Sequence, residues 1–147
     1  NLLIFYTGQQ RKNDKILKEQ DDSTKNNKEE VLKSLHYIKE SGYKILDIVK
    51  SGNLDDLGMM FKEHWEMKKK LSSGVTNNKI DSIYNIALKN GATGGKITGA
   101  GGGGFFTFYC SKDHQKLRNA MKAEGLKELD YSFDLDGSRI ISNHSSN

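Results

Sequence analysis

Gly94-Gly95-Lys96-Ile97-Thr98-Gly99-Ala100-Gly101-Gly102-Gly103-Gly104 runs directly into Phe105-Phe106-Thr107-Phe108-Tyr109-Cys110. Seven of the chain's 15 glycines lie between positions 94 and 104, so they are placed rather than scattered. Glycine opens backbone conformations with positive φ but weakens any regular element that contains it. A run this dense between two β-type segments predicts a strand–loop–strand unit whose loop approaches something closely. Backbone N–H groups converging in such a loop form a concavity suited to phosphate oxygens. The stretch therefore points both to β-structure and to phosphate chemistry.

Better-known glycine motifs do not account for it. Gly99 to Gly104 fits G-x-G-x-x-G literally, but the dinucleotide fingerprint needs a helix after the glycine turn. Here an aromatic, strand-like segment follows. A P-loop needs Gly-Lys followed by Ser or Thr, and Gly95-Lys96 is followed by Ile97. No V-A-I-K, H-R-D or D-F-G segment accompanies the loop, which excludes the protein-kinase arrangement.

The string Lys96-Ile97-Thr98-Gly99-Ala100-Gly101-Gly102-Gly103-Gly104 closely resembles the third motif of the GHMP kinases, which include galactokinase, homoserine kinase and mevalonate kinase. Leu2-Leu3-Ile4-Phe5-Tyr6-Thr7-Gly8, with Arg11 beyond it, resembles a strand and turn from the sugar-kinase branch. His64-Trp65-Glu66-Met67-Lys68, Leu71-Ser72-Ser73-Gly74 and Ile80-Asp81-Ser82-Ile83-Tyr84 are similar to the heptose-phosphate kinases within it. The resemblance spans Leu2 to about Tyr131 and implies a ferredoxin-like sandwich with additional helices. Family members also carry an ATP-binding loop of the type P-x-x-x-G-L-G-S-S in an N-terminal half. This chain has no proline and no such segment, and it begins at Asn1 inside an apparent strand. The resemblance therefore implies the C-terminal portion of a longer kinase, with the catalytic acid and base elsewhere. Such a portion is expected to transfer no phosphate by itself.

Size and composition agree with a single domain. The chain has 147 residues, 35% hydrophobic and 29% charged, enough for one core under a polar surface. No run reaches the length of a membrane span, and the N-terminus lacks the charged and apolar regions of a leader. One cysteine, Cys110, closes the aromatic segment and is expected to be a buried thiol, which favours a cytoplasmic setting. The formal charge is +4, but only Arg11, Arg118 and Arg139 offer a guanidinium fork. The lysines are interspersed with acids, as on solvated helix faces, so no nucleic-acid partner is expected.

The remaining elements follow from periodicity and punctuation. Leu2 to Tyr6 is apolar without alternation, predicting a strand covered on both faces. Asn13 to Asp22 reads as a polar helix. Asn27 with Glu30 looks like a capped helix start, followed by Val31, Leu35, Ile38, Ile45 and Val49 at helical spacing, with Leu32 and Leu46 beside them. Gly42 within it predicts a close contact or a bend, and Gly52-Asn53 a terminus. Leu54, Leu57, Phe61 and Trp65 make another stripe, and Ile80, Ile83 and Ala87 with Gly91 a further short helix. Ser111 is placed to cap a helix bearing Leu117, Ala120 and Met121. Asp136-Gly137 predicts a hairpin between Leu126–Phe133 and Arg139–Ile141. Strands with segregated helices make the class α+β. The domain is assigned residues 1–142, with 143–147 a frayed polar tail.

In the kinase reading, Thr98, Gly99, Ala100, Gly101, Gly102 and Gly103 lie near the ATP phosphates and contribute by positioning and electrostatics. The alternative is a tight inter-strand connection packed on a neighbour. His64 and Lys68, at i and i+4 on one helical face, are candidates with Ser72 and Ser73 for holding a polyhydroxylated sugar phosphate. The competing reading is a structural face with lysines at a helix C-terminus. Lys96 and Arg11 are candidate contacts to substrate charge. No His, Cys or acidic grouping has metal-ligand spacing; Mg2+ is expected with ATP, on ligands in the N-terminal half. The resemblance implies, as the expected function, phosphoryl transfer from ATP to the anomeric hydroxyl of a heptose 7-phosphate. Fucose-type or mevalonate-type kinases, or a non-catalytic phosphate-binding or assembly module, remain as alternatives.

Overall fold

The structure, a computed structural model, describes residues 1–9, 13–26 and 28–138. Strand β1 (Leu2–Tyr6) leads to helices α1 (Asn13–Lys25) and α2 (Glu29–Ser51). A 3-10 turn (Leu54–Asp56), α3 (Leu57–Lys69) and α4 (Asn78–Lys89) follow. The chain continues through β2 (Gly94–Thr98), β3 (Phe105–Tyr109), α5 (His114–Ala123) and β4 (Lys127–Glu128). The four strands form one antiparallel sheet in the order β2-β3-β1-β4. Read from the other edge this is 4-1-3-2, the ferredoxin-like order, so the fold is α+β with extra helices between β1 and β2.

Alternation along the strands decides which sheet face becomes core. Leu3 and Phe5 of β1, Ile97 of β2, and Phe106 and Phe108 of β3 are buried on one face. Phe106 and Phe108 stack at 4.9 Å between centroids, and Tyr84 of α4 and Trp65 of α3 pack against them. Leu117 and Met121 of α5 complete the layer. The other face of β1 is only half-buried at Leu2, Ile4 and Tyr6, contrary to the two-sided burial expected from its composition. Composition alone cannot distinguish a half-buried apolar face from a buried one.

Helix α3 lies against the β2 edge at unusually short range. A Cβ on Gly94 would sit 1.8 Å from the Gly58 carbonyl oxygen, so strand and helix backbones meet with no side chain between them. Cys110 is buried as expected; its thiol donates to the Lys112 carbonyl at 2.8 Å, and burial pushes its pKa up.

Several local expectations are corrected. Helix α5 is preceded by Asp113 in the left-handed region (φ 58°), not capped by Ser111. The cap position of α2 is Lys28, and Asn27 lies outside the described residues. Gly42 makes no close contact, contrary to the packing expected there, and α2 runs through it unbroken. The helical stripe of α2 is buried at Val31 but exposed at Leu35, Leu46 and Val49, because α2 packs mainly on α3 and reaches no second layer there. Leu126–Phe133 supplies only the two-residue β4. The Asp134 carboxylate accepts from the Asp136 and Gly137 amides in a local turn, and Arg139–Ile141 lies outside the described residues.

Candidate functional site

The glycine loop between β2 and β3 folds onto two neighbouring backbone segments. Gly102 N–H donates to the Val75 carbonyl at 2.8 Å, and Gly104 N–H to the Gln9 carbonyl at 3.1 Å. Thr7 N–H returns a bond to the Gly104 carbonyl at 2.8 Å. Gly101 and Gly102 have φ of 114° and 70°, values that L side chains rarely adopt. A Cβ on Gly101 would lie 2.8 Å from Val75 Cα, and one on Gly102 2.9 Å from the Gly74 carbonyl oxygen. The close approach anticipated from the sequence is thus made first to the 72–75 turn. Two of the loop's amides are committed to protein carbonyls rather than aimed outward.

Gly102 also forms part of the wall of a cleft of about 580 Å³. Lys15, Ile16 and Glu19 of α1 border it, opposite Ser73, Gly74, Thr76 and Asn77, with Gln9 at one side. The Glu19 carboxylate organises this region. It accepts from the Ser72 hydroxyl (2.8 Å), the Ser73 amide (3.1 Å) and the Ser73 hydroxyl (3.2 Å). The Ser73 amide first, and then the Ser72 hydroxyl, hold its carboxyl below the usual carboxylate range. Ser72 is buried, and its oxygen also accepts from Gly74 N–H at 3.2 Å. Beyond the turn, Asn77 Oδ1 accepts from Ile80 N–H at 3.0 Å and caps α4, while Thr76 donates to Asp81 at 2.8 Å. The cleft therefore combines a cation, two hydroxyls, two amide side chains and a carboxylate that is already engaged.

A second cleft, about 330 Å³, lies on the other side of α1 and is lined in part by His64, Lys68, Gly99 and Ala100. The Lys68 ammonium donates to the Ile97 carbonyl at 3.1 Å and to the Gly99 carbonyl, tying α3 to the entry of the glycine loop. His64 Nδ1 lies 3.3 Å from the Ser41 hydroxyl, whose own proton goes to the Ile38 carbonyl at 2.7 Å. Nδ1 is therefore the donor of that pair. Burial, then Lys96 and Lys68, push the His64 pKa down to about 4, leaving the ring neutral at pH 7. Lys96 lies over the Phe61 ring at 5.7 Å, and its pKa is lowered by burial. The Thr98 hydroxyl is 2.9 Å from that of Thr107 on the adjacent strand.

The residues singled out from the sequence do not converge on one point. Ser73 and Gly102 share the larger cleft, with Ser72 beneath its turn; His64, Lys68, Gly99 and Ala100 share the smaller. Lys96 is on the strand face opposite Ile97, and Arg11 lies outside the described residues. Sequence reasoning missed Gln9, Lys15, Glu19, Thr76 and Asn77. For Lys15 and Glu19 a signal existed, an i, i+4 pair of opposite charge on a polar helix. Among the described residues no group of three His, Cys, Asp or Glu is arranged to hold a metal ion. None of the described helices is long and apolar enough to cross a membrane.

Comparison with known proteins adds a second line of observation. The family model described as GHMP kinases C terminal matches residues 45–127. The chain is 32% identical over 111 residues to D-glycero-alpha-D-manno-heptose 7-phosphate kinase of Campylobacter jejuni subsp. jejuni serotype O:2, covering 74% of this chain and 32% of that enzyme. It is 30% identical over 113 residues to L-fucokinase/L-fucose-1-P guanylyltransferase of Bacteroides fragilis, covering 77% of this chain and 12% of that protein. The crystal structure of L. major mevalonate kinase in complex with R-mevalonate superposes with a TM-score of 0.77 at 16% identity, over 86% of this chain and 40% of that one. That last likeness concerns the fold alone. The chain spans about a third or less of the length of the curated relatives it matches.

Proposed function

This chain belongs to the family of GHMP kinase C-terminal domains, and on that premise we propose that it serves as the C-terminal part of an ATP-dependent sugar-phosphate kinase. The observation that carries the reading is the glycine loop, wedged against the 72–75 turn so that Gly102 and Ser73 face one polar cleft. Residues 98–103 are assigned to the neighbourhood of the ATP phosphates. There they exclude bulk and fix the position of groups supplied by the rest of the enzyme. ATP contributes the transferred phosphoryl group. Mg2+ accompanies ATP in this reading, on ligands supplied by the rest of the enzyme.

The acceptor we propose is a heptose 7-phosphate, phosphorylated at its anomeric hydroxyl. Identity of 32% to a kinase named for that sugar supports it, as does the resemblance of the segments around His64 and Ser72 to heptose-phosphate kinases. A substrate that already bears phosphate needs cations remote from the reacting oxygen, and Lys15 in the larger cleft supplies one. Remote contacts of this kind hold the acceptor oxygen in line with the γ-phosphate and so lower the barrier. Ser73, Ser72, His64, Lys68 and Lys96 remain candidates on the acceptor side, with Arg11. Lys68 acts at least partly through the loop carbonyls that it holds. Fucose is the second reading, favoured by the 30% identity to a fucokinase.

A kinetic comparison tests the proposal. In the full-length protein, kcat/KM for D-glycero-D-manno-heptose 7-phosphate should exceed that for fucose or mevalonate at saturating ATP. The 147-residue chain alone should release no ADP above buffer. A larger kcat/KM for either competitor would replace the acceptor, and robust turnover by the isolated chain would remove the half-enzyme reading.

A further inference from the structure

We propose that Glu19 is a positioning residue that holds the glycine loop in place through the 72–75 turn. No contact runs directly from the carboxylate to the loop; the connection is a relay. Glu19 takes the Ser72 hydroxyl and the Ser73 amide and hydroxyl, which anchors the turn to α1 at its start. Ser72 passes the constraint on: its hydroxyl oxygen accepts Gly74 N–H, and its carbonyl accepts Val75 N–H at 3.2 Å. The Val75 carbonyl, fixed by that closure, accepts Gly102 N–H at 2.8 Å. One helical turn before Glu19, Ile16 is buried and places its Cδ1 where a Cβ on Gly102 would come within 2.9 Å. Helix α1 therefore grips the turn with a carboxylate and the loop with a methyl group.

This arrangement differs from an ordinary surface interaction in two respects. Three donors from two consecutive residues converge on one carboxylate, and charge-assisted bonds of this kind are about twice as strong as neutral ones. The turn they hold is also the surface against which the positive-φ glycines are packed. Releasing the carboxylate frees the turn to move, and the loop loses both its hydrogen-bond acceptor and its backstop. The kinetic consequence rests on the loop lying at the ATP phosphates, as proposed above.

The test uses the full-length protein with Glu19→Ala and Glu19→Gln. Amide hydrogen exchange reports opening of individual bonds. In Glu19→Ala the Gly102 and Val75 amides should exchange at least about tenfold faster, with the β3 amides unchanged, and kcat should fall about tenfold. Glu19→Gln retains an oxygen to accept from Ser73 and should recover part of both effects. Unchanged Gly102 exchange in Glu19→Ala would overturn the proposal and leave the kinase reading standing. Acceleration spread equally through β3 would also overturn it, since Glu19 would then support only global stability. Faster Gly102 exchange with unaltered kinetics would uphold the role of Glu19 and remove the loop from the phosphates.

Discussion

His64 is a neutral imidazole enclosed by burial and by two ammonium groups, Lys96 and Lys68. Its pKa in the folded protein, about 4, lies below the ordinary value of 6.5. Between these two pH values the unfolded chain takes up a proton that the folded chain refuses. The associated stability is complete above pH 6.5 and is lost as pH falls toward 4. Discounted for a ring that is only half-buried, the effect is about 1–2 kcal/mol. Thermal unfolding of wild type should therefore weaken between pH 7 and 4.5, with a flatter slope in His64→Gln; identical slopes would show that the ring is not enclosed. The i, i+4 pairing of His64 and Lys68 was legible from spacing. The targets of Lys68 were not, because the carbonyls of Ile97 and Gly99 lie 29 and 31 positions along the chain. The role of Glu19 was hidden for the same reason: its charge pairing with Lys15 was readable, but its partners, Ser72 and Ser73, are 53 and 54 positions away.

At the scale of elements, two glycines inside regular elements have opposite structural meanings. Gly42 sits inside α2 with open space where a Cβ would go. Gly42→Ala should stabilise the protein by about 0.5–1 kcal/mol, the helix-propensity difference. Gly94 is held against the backbone of α3, and Gly94→Ala forces strand and helix apart, destabilising by about 2–3 kcal/mol or preventing folding. Denaturant melts of both variants decide the matter; a destabilising Gly42→Ala or a neutral Gly94→Ala would contradict these packing assignments. The existence of the elements was readable from period and punctuation. Gly52 in the left-handed conformation ends α2; of the expected stripe, Leu57 and Trp65 are buried, Phe61 is half-buried, and Leu54 is exposed in the 3-10 turn before α3. The exposed faces of α2 and the short β4 were not readable. Helical spacing shows that apolar residues share a side but not whether anything packs there, and alternation in 126–133 cannot reveal how far the neighbouring strand extends.

The molecule as a whole is a ferredoxin-like sheet whose inserted helices reach toward the glycine loop from two directions. Helix α3 holds the entry of the loop through Lys68, and α1 holds its middle through Glu19 and the 72–75 turn. These contacts fix the loop from both sides, which in the reading proposed above supplies the preorganisation that phosphoryl transfer by positioning requires. Its proposed place beside the ATP phosphates can be read without following turnover. Amide hydrogen exchange is measured on the full-length protein with and without a saturating non-hydrolysable ATP analogue and Mg2+. Exchange across residues 98–104 should slow by about tenfold or more, as expected for bonds protected by a bound ligand, while α5 and β4 are unaffected. Unchanged exchange in 98–104 with the nucleotide demonstrably bound would place the phosphates elsewhere and leave the glycine loop as a connection between two strands.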